Sequence, residues 1–382
     1  MTSPPPASSL RSRAWLGGDD EVAVLHRVAL ASAGVRPAAG RPVIGIANSA
    51  SELNPCNLPL RDLVGPVREG IEAAGGVGVE FPVISLGEDL MKPSAMLYRN
   101  LLAIEIEEMV RANPLDGLVI LANCDKSVPG ALMGAISANV PAVLVTGGSR
   151  GVARFRGARL GTGTDLWRLW DERRAGRLDD AGWQELEQCL SCGRGACNTM
   201  GTASTMAVLS EVLGLMVPGT SSIPAGDPRS AAGARLAGQV VVAAVTGSGR
   251  RPQDILSAAS LRNAVVALHA VGGSTNAIIH LAALAGRAGL AFPLDDVARL
   301  GADVPVLADV EPSGSQLMAD FDAAGGVPSL LRELAGLLDL SAPTVAGETI
   351  GEIAGRARTA SGAIRRASSP LRSGGAFGVV RG

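Results

Sequence analysis

Short apolar runs alternate with helical stretches through the first 150 residues, and this alternation constrains the fold more than any other feature. The runs occupy 42–47 (PVIGIA), 79–85 (VEFPVIS), 117–122 (GLVILA) and 141–146 (PAVLVT). Near-continuous apolar strands separated by helices are typical of a parallel sheet that is covered on both faces. The later pattern is mostly helical. The sequence therefore predicts an α/β fold, a three-layer parallel sheet with helices on both faces plus a large helical portion.

Reactive side chains follow three of these runs. Cys56 comes in the loop after the first run and Glu88 after the second, and the third run leads directly into Cys124, Asp125 and Lys126. In open parallel sheets, ligands bind beyond the carboxyl ends of the strands. We therefore expect these side chains to meet at one site.

Composition and charge narrow the class of protein. The net charge of −2 argues against a nucleic-acid or acidic-membrane partner. No apolar run approaches the roughly 18 residues of a membrane span, and the first twenty residues lack the apolar segment of a secretory signal. Five cysteines in such a chain favour cytosolic thiols or metal ligands over disulfides. The sequence predicts a cytoplasmic protein without a nucleic-acid or membrane partner.

Lysine is nearly absent from the chain. Of 34 basic residues only Lys92 and Lys126 are lysines, so arginine serves wherever a positive charge alone is needed. An amine can lose its proton and act as a nucleophile, whereas a guanidinium stays charged. A retained lysine therefore invites the question of what arginine could not do in its place.

Cys124 next to Asp125 places two kinds of metal ligand in one loop. Thiolates select soft metals and iron–sulfur clusters, and carboxylates select Mg²⁺, Ca²⁺ or Mn²⁺. The residues alone leave a second interpretation open, a lone buried cysteine beside an ordinary loop carboxylate.

Two further motifs have plainer alternatives. Cys189 and Cys192 precede Cys197 with a spacing that would suit part of a zinc site, but there is no second CxxC pair, and packing thiols are the simpler interpretation. The glycine-rich turn 272–276 (GGSTN) would seat an anion at a helix N-terminus or form an ordinary capped turn. An unrelated nucleotide-binding fold is disfavoured, because no dinucleotide-binding fingerprint follows a strand.

Long stretches of the chain resemble the dihydroxy-acid and sugar-acid dehydratases, the family that includes 6-phosphogluconate dehydratase. The SLGE form around Glu88, with RSRAW near the start, is more similar to the sugar-acid branch than to the branched-chain amino-acid branch. The matching stretches are 10–20 (LRSRAWLGGDD), 40–61, 80–109, 113–135, 196–225 and 272–290.

The resemblance implies two cofactors. An iron–sulfur cluster, 2Fe–2S with 4Fe–4S as the alternative, would be held by three cysteines, at the positions Cys56, Cys124 and Cys197. Mg²⁺ would be held by an acidic residue, an aspartate and a carbamylated lysine, at the positions Glu88, Asp125 and Lys126. Asp89 is an alternative to Glu88. Lys92 lies at a position where relatives tolerate arginine, so an ordinary surface cation is expected there.

The resemblance also implies an activity, dehydration of a 2,3-dihydroxy acid, here a sugar acid, to a 2-keto-3-deoxy acid by a homo-oligomeric lyase. In the family the catalytic base is a serine of a C-terminal β-barrel domain. We expect an N-terminal dehydratase domain over 1–365, with its cofactor loops in 40–225, and a truncated lead-in over 366–382 with the barrel absent. No residue of this chain then takes the role of base, and the isolated chain is expected to be inactive. The alternative is an inactive truncated paralogue that retains the fold, cluster binding or oligomerisation.

Overall fold

The computed structural model describes residues 10–36 and 40–380, and a parallel sheet lies at its centre. The strands are β1 (Val43–Asn48), β2 (Val77–Pro82), β3 (Gly117–Leu121) and β4 (Ala142–Val145). They pair in the order β2–β1–β3–β4, and Ile46 of β1 lies between Glu80 and Val119. The alternation of apolar runs and helices thus predicted the sheet correctly.

Both faces of the sheet are covered. Every residue of β3 and β4 is buried, as are Val43, Ile44, Ile46 and Ala47 of β1. Because neighbouring side chains on a strand point to opposite faces, complete burial requires a layer on each side. The near-continuous apolar character of these strands follows from this.

The helices outnumber the strands and include several short ones. In chain order they are α1 (Arg13–Leu16), α2 (Glu21–Ser32), α3 (Val64–Ala73), α4 (Arg99–Ala112), α5 (Ser127–Ala138), α6 (Thr164–Arg174), α7 (Asp180–Leu190), α8 (Thr202–Val212), α9 (Pro228–Ala243), α10 (Pro252–Ile255), α11 (Ala258–Ala270), α12 (Asn276–Arg287), α13 (Leu294–Gly301), α14 (Met318–Ala323), α15 (Gly326–Glu333) and α16 (Ile350–Arg356). None of the helices within residues 10–36 and 40–380 is long and apolar enough to cross a membrane.

Two helix pairs pack closely because glycine lies at their contacts. A Cβ atom on Gly134 of α5 would lie 2.7 Å from the Ala103 carbonyl oxygen of α4. A Cβ atom on Gly70 of α3 would collide with the Arg235 carbonyl oxygen of α9. Without a side chain at these positions the helix backbones approach each other closely. The pair α4–α5 brings the loop after β3 next to the loop after β2.

Several helix and strand boundaries differ from the prediction. The strand predicted over 79–85 is β2, which begins and ends earlier because its pairing with β1 starts at Val77. The apolar spacing after Ser94 predicts a helix over 95–111 with Ser94 as its cap. The structure has a 3₁₀ turn, Ala95–Tyr98, followed by α4, and the Ser94 hydroxyl accepts from the Met96 N–H. The small residues from 197 onwards also predict a helix, but α8 begins only at Thr202, so Cys197 lies in irregular backbone.

The segment 153–192 forms a small excursion. An antiparallel strand pair, β5 (Ala153–Phe155) and β6 (Ala158–Leu160), joins α6 and α7 around a separate hydrophobic core. The charged helical stretch predicted over 167–187 lies here. The members of the small core are Ala153, Phe155, Leu160, Leu169, Leu178 and Leu186.

The last described segment packs onto the rest of the chain. Val306 forms an isolated bridge with Arg372, and the Ala376 N–H donates to His269 Nδ1 over 3.1 Å. The domain boundary expected at residue 365 stays a prediction. Residues 1–9 of the expected domain and 381–382 of the expected lead-in lie outside the described residues.

Candidate active site

The loops after the first three strands meet at one buried asparagine, Asn57. Its side-chain carbonyl accepts hydrogen bonds from the backbone N–H groups of Asn123 and Cys124, at 3.0 and 2.7 Å, and from the Ser127 hydroxyl at 3.1 Å. Its amide nitrogen donates to the hydroxyls of Ser49 and Ser85. One amide thus fixes the loops that carry Cys56, Glu88 and Cys124.

A second asparagine, Asn123, adds the loop after β4. Its side-chain carbonyl accepts from the N–H groups of Gly147 and Gly148, both at 3.0 Å. Its amide nitrogen donates to the carbonyl oxygens of Cys56, at 2.7 Å, and Gly148, at 2.8 Å. Sequence reasoning missed both asparagines. The only signal was their position beside a cysteine in NPCN and NCDK.

The three cysteines Cys56, Cys124 and Cys197, here called the sulfur side, form one half of the site. Cys56 and Cys124 are 5% and 3% exposed, and Cys197 is half-buried. A hydrogen bond with Cys56, together with burial and the nearby Asp125 carboxylate, raises the pKa of the Cys124 thiol. Burial is also the main cause that raises the pKa of Cys197. Both of these thiols therefore hold their protons more firmly than an exposed cysteine does.

Glu88, Asp125 and Lys126, here called the carboxylate side, form the other half. Lys126 Nζ lies 2.7 Å from Asp125 Oδ2 and 3.1 Å from Glu88 Oε1. Burial alone would lower the pKa of Lys126, but the Asp125 and Glu88 carboxylates outweigh burial, and the net pKa is raised. Burial opposes ionisation of Glu88, yet hydrogen bonds from Ser94 and Lys126 lower its pKa overall.

The two halves touch at Asp125. The Cys124 thiol donates to Asp125 Oδ1 over 3.3 Å, while Lys126 donates to Oδ2 over 2.7 Å. Asp89, the alternative to Glu88, lies against Cys56 instead, with Oδ2 at 3.7 Å from the sulfur atom. The geometry therefore favours Glu88 over Asp89 as the neighbour of Lys126.

A buried histidine, His280, lies close to the carboxylate side. His280 Nδ1 is 2.7 Å from Arg99 Nη1, whereas its buried Nε2 has no hydrogen-bond partner within the described residues. Burial, with the charges of Arg99 and Lys126, lowers the pKa of His280 to about 3. The imidazole is therefore neutral. Arg99 and Lys126 also line a small open pocket of about 20 Å³.

The remaining sequence motifs lie apart from these groups or are already satisfied. Cys189 and Cys192 pack against the small core of the excursion, in keeping with packing thiols. In the turn 272–276 the Ser274 hydroxyl pairs with Thr202 at 2.7 Å, and the Ser274 N–H donates to the Thr205 hydroxyl. Internal partners thus occupy this turn, as in a capped turn.

The donor set suits both cofactors in chemical type. Three thiols can hold a soft metal centre, and two carboxylates that already surround one positive charge can hold a hard cation. Within residues 10–36 and 40–380 no group of three His, Cys, Asp or Glu side chains is already arranged to bind a metal ion. Binding would therefore require side chains to reorient.

Comparison with known proteins gives a consistent result. The sequence model for the dehydratase family described as "Dihydroxy-acid/6-phosphogluconate dehydratase N-terminal" matches residues 41–353. The chain is 44% identical over 342 residues to 6-deoxy-6-sulfo-D-gluconate dehydratase of Pseudomonas putida, a match that covers 89% of this chain and 59% of the relative. It is 43% identical over 378 residues to L-arabinonate dehydratase of Rhizobium leguminosarum, covering 98% of this chain and 65% of the relative.

A third relative carries a different substrate in its name. Dihydroxy-acid dehydratase of Roseiflexus is 37% identical over 352 residues, which cover 90% of this chain and 62% of the relative. The chain thus spans about three-fifths of the length of the curated relatives it matches.

Proposed function

Because the chain belongs to the dihydroxy-acid/6-phosphogluconate dehydratase family, we propose that it carries the cofactor-binding part of an active site that dehydrates a sugar acid to a 2-keto-3-deoxy acid. The observation that carries the proposal is the position of Asp125. Its carboxylate contacts a thiol of the sulfur side and the ammonium of the carboxylate side at once. A substrate with two neighbouring hydroxyl groups suits a site with two adjacent centres.

A sugar acid is the better substrate class for this chain. The relatives named for sulfogluconate and L-arabinonate are 44% and 43% identical to it, against 37% for the relative named for a dihydroxy acid. The proposal therefore names an aldonic acid with hydroxyl groups at C2 and C3.

We assign the cofactors to the two halves of the site. Cys56, Cys124 and Cys197 would hold an iron–sulfur cluster, 2Fe–2S in this proposal, and Glu88, Asp125 and carbamylated Lys126 would hold Mg²⁺. When bound, both groups would supply Lewis acidity. The cation would act at the substrate carboxylate and C2 hydroxyl and so acidify the C2 proton, and the cluster would act at the leaving C3 hydroxyl. No residue of this chain is assigned the role of base.

The chain's own residues prepare the site. Asn57 and Asn123 hold the cysteine loops in a fixed arrangement, and the burial of Cys56 and Cys124 excludes water from the sulfur atoms. The imidazole of His280 is neutral, so it adds no positive charge beside Lys126.

The positive charge on Lys126 bears on whether this side chain can form a carbamate. Carbamate formation requires a neutral amine, which adds to carbon dioxide, forms an N–C bond and releases a proton. A depressed pKa would favour this neutral amine, but the Asp125 and Glu88 carboxylates raise the pKa of Lys126. The amine is therefore protonated as long as no other cation binds the two carboxylates. In the proposed function, carbamate formation depends on another cation sharing those carboxylates.

Two measurements test the proposed function. Anaerobic purification or reconstitution of the chain is expected to yield bound iron, acid-labile sulfide and visible absorption. A panel of aldonic acids is then expected to change that absorption when Mg²⁺ is present. Absence of iron and sulfide after reconstitution would contradict the proposal. A spectral response to branched dihydroxy acids alone would overturn the substrate class.

A further inference from the structure

Arg150, in the loop after β4, is the one cation that lies against the sulfur side within the described residues. Its Nη2 atom lies 3.8 Å from Cys56 Sγ and 3.4 Å from Asp89 Oδ2. Its Nε atom donates to the Gly195 carbonyl oxygen over 3.2 Å, two residues before Cys197. The side chain is only 15% exposed. One guanidinium thus spans the loops of two cysteines.

The backbone around Arg150 is tied to the same two loops. The Arg150 N–H donates to the Ala196 carbonyl oxygen over 2.8 Å, and the Ala196 N–H donates to Gly148 over 3.0 Å. The Gly195 N–H in turn donates to the Pro55 carbonyl oxygen over 3.1 Å. The guanidinium is therefore held beside Cys56 and Cys197 before any ligand is bound.

The electrostatic surroundings of Arg150 favour negative charge on sulfur. Its guanidinium places one positive charge against Cys56 Sγ and beside the backbone that leads to Cys197. A guanidinium keeps its charge at every accessible pH, so a thiolate beside it has a permanent counter-charge. Hydrogen bonds and positive charge near cluster sulfurs also raise the reduction potential, because the reduced form carries one more negative charge.

We propose that Arg150 is a positioning residue of the cluster site: it holds Cys56 through an N–H···S contact, neutralises thiolate charge and raises the reduction potential of the bound cluster. The inference rests on the proposed function, because it needs a cluster on the three cysteines. It assigns a role to a side chain outside the ligand set. Substrate binding by Arg150 is the competing role.

The test compares four variants of the chain after anaerobic reconstitution. Arg150→Met removes charge and donors, Arg150→Lys keeps the charge without the planar fork, and Asp89→Asn removes the neighbouring negative charge. Arg194→Met is the matched control, because Arg194 forms an exposed ion pair with Asp62 near the same loop. Iron and sulfide content, the reduction potential and the half-life of the visible absorption in air are measured for each, with circular dichroism to verify folding.

Arg150→Met is expected to favour the oxidised cluster about tenfold at a fixed potential, a shift of about 59 mV to lower potential for a one-electron couple. Its absorption in air is expected to decay several-fold faster. Arg150→Lys is expected to be intermediate, Asp89→Asn to shift the potential upward, and Arg194→Met to match the unmodified chain.

The outcomes separate this inference from the proposed function. If the unmodified chain takes up no iron and sulfide, both fail. If it takes up the cluster but Arg150→Met and Arg150→Lys keep its potential and air stability, only the role of Arg150 is overturned. A change confined to aldonic-acid affinity would also overturn it, because that result assigns Arg150 to the substrate. If Arg150→Met does not fold, the other two variants decide: the proposal requires a lower reduction potential in Arg150→Lys and a higher one in Asp89→Asn.

Discussion

The sulfur side and the carboxylate side of the site share Asp125 but hold their buried ionisable groups in different charge states. On the carboxylate side one ammonium lies between two carboxylates, so each carboxylate is paired and one net negative charge remains. On the sulfur side the raised pKa values keep Cys124 and Cys197 protonated. The first half is stable as ions and the second as neutral thiols. In the proposed function, Mg²⁺ would therefore replace the ammonium charge of Lys126 on one side, and the cluster would replace thiol protons on the other.

The largest effect is expected from breaking the sulfur side. Cys124→Ser removes the buried thiol that contacts both Cys56 and Asp125, so cluster absorption and bound sulfide should be lost entirely. Cys189→Ser, on the excursion, is the control and should retain both. A fully retained spectrum in Cys124→Ser would remove Cys124 from the ligand set.

The carboxylate side can be broken on its own. Lys126→Arg keeps the positive charge but cannot form a carbamate, so affinity for Mg²⁺ should fall by about 100-fold or more. Titration with Mg²⁺ measures the affinity, and nuclear magnetic resonance with isotopically labelled bicarbonate measures the carbamate. Iron and sulfide should stay at the unmodified level. Lys92→Arg is the matched control, and an unchanged affinity in Lys126→Arg would rule out the carbamate.

Asn57 tests whether the two halves share one support. Asn57→Ala leaves the buried N–H group of Asn123 without its acceptor and that of Cys124 with the Ser127 hydroxyl alone, and it should lower the free energy of unfolding by about 3 kcal/mol. Cluster content and Mg²⁺ affinity should both decline. Asn113→Ala removes one partly exposed hydrogen bond, to Met109, and should cost less than about 1 kcal/mol. Urea unfolding measures the stability of both variants. Equal losses of unfolding free energy would show that Asn57 is not a shared support of the two halves.

The smallest effect is a difference in pH dependence between the halves of the metal-free chain. The unfolded chain loses thiol protons above about pH 8.5, whereas the folded chain keeps those of Cys124 and Cys197, so stability should fall as pH rises to about 10. The slope is at most about 1.4 kcal/mol per pH unit for each thiol.

The ion pairs respond in another range of pH. The raised pKa of Lys126 gives stability that is lost only as pH rises through its folded value, above about 10.4. The lowered pKa of Glu88 gives stability that is lost only as pH falls below about 4.3. Urea unfolding of the chain and of Cys124→Ser between about pH 8 and 10 isolates the sulfur side. Equal slopes in the two proteins would contradict the assignment.

The sequence was most informative where one pattern implies one structure. Buried parallel strands must be apolar on both faces, so β1, β3 and β4 could be located directly, and the rule for strand ends brought Cys56, Glu88 and Cys124 together. Boundaries were less certain. Apolar residues continue past the last pair of β2, and the small residues before Thr202 give no periodic signal of where α8 begins.

The supporting residues could not have been found in the same way. Asn57, Asn123 and Arg150 act through contacts between residues far apart in sequence, and neither an amide nor a guanidinium indicates a partner by itself. The charge state of Lys126 depends on the distance to Glu88, which the spacing along the chain does not fix. Residue type predicted the ligand chemistry, and only the fold gave the electrostatics.

The excursion over 153–192 has a hydrophobic core separate from the main one, so we expect it to unfold as its own cooperative unit. Its apolar side chains do not join the main core, so it can open without melting the central sheet. Its two ends lie next to Arg150 and just before Cys197. Amide hydrogen exchange in α6 and α7 is therefore expected to be faster than in β1 and β3, so the sulfur side would adjoin a segment that opens more readily than the central sheet.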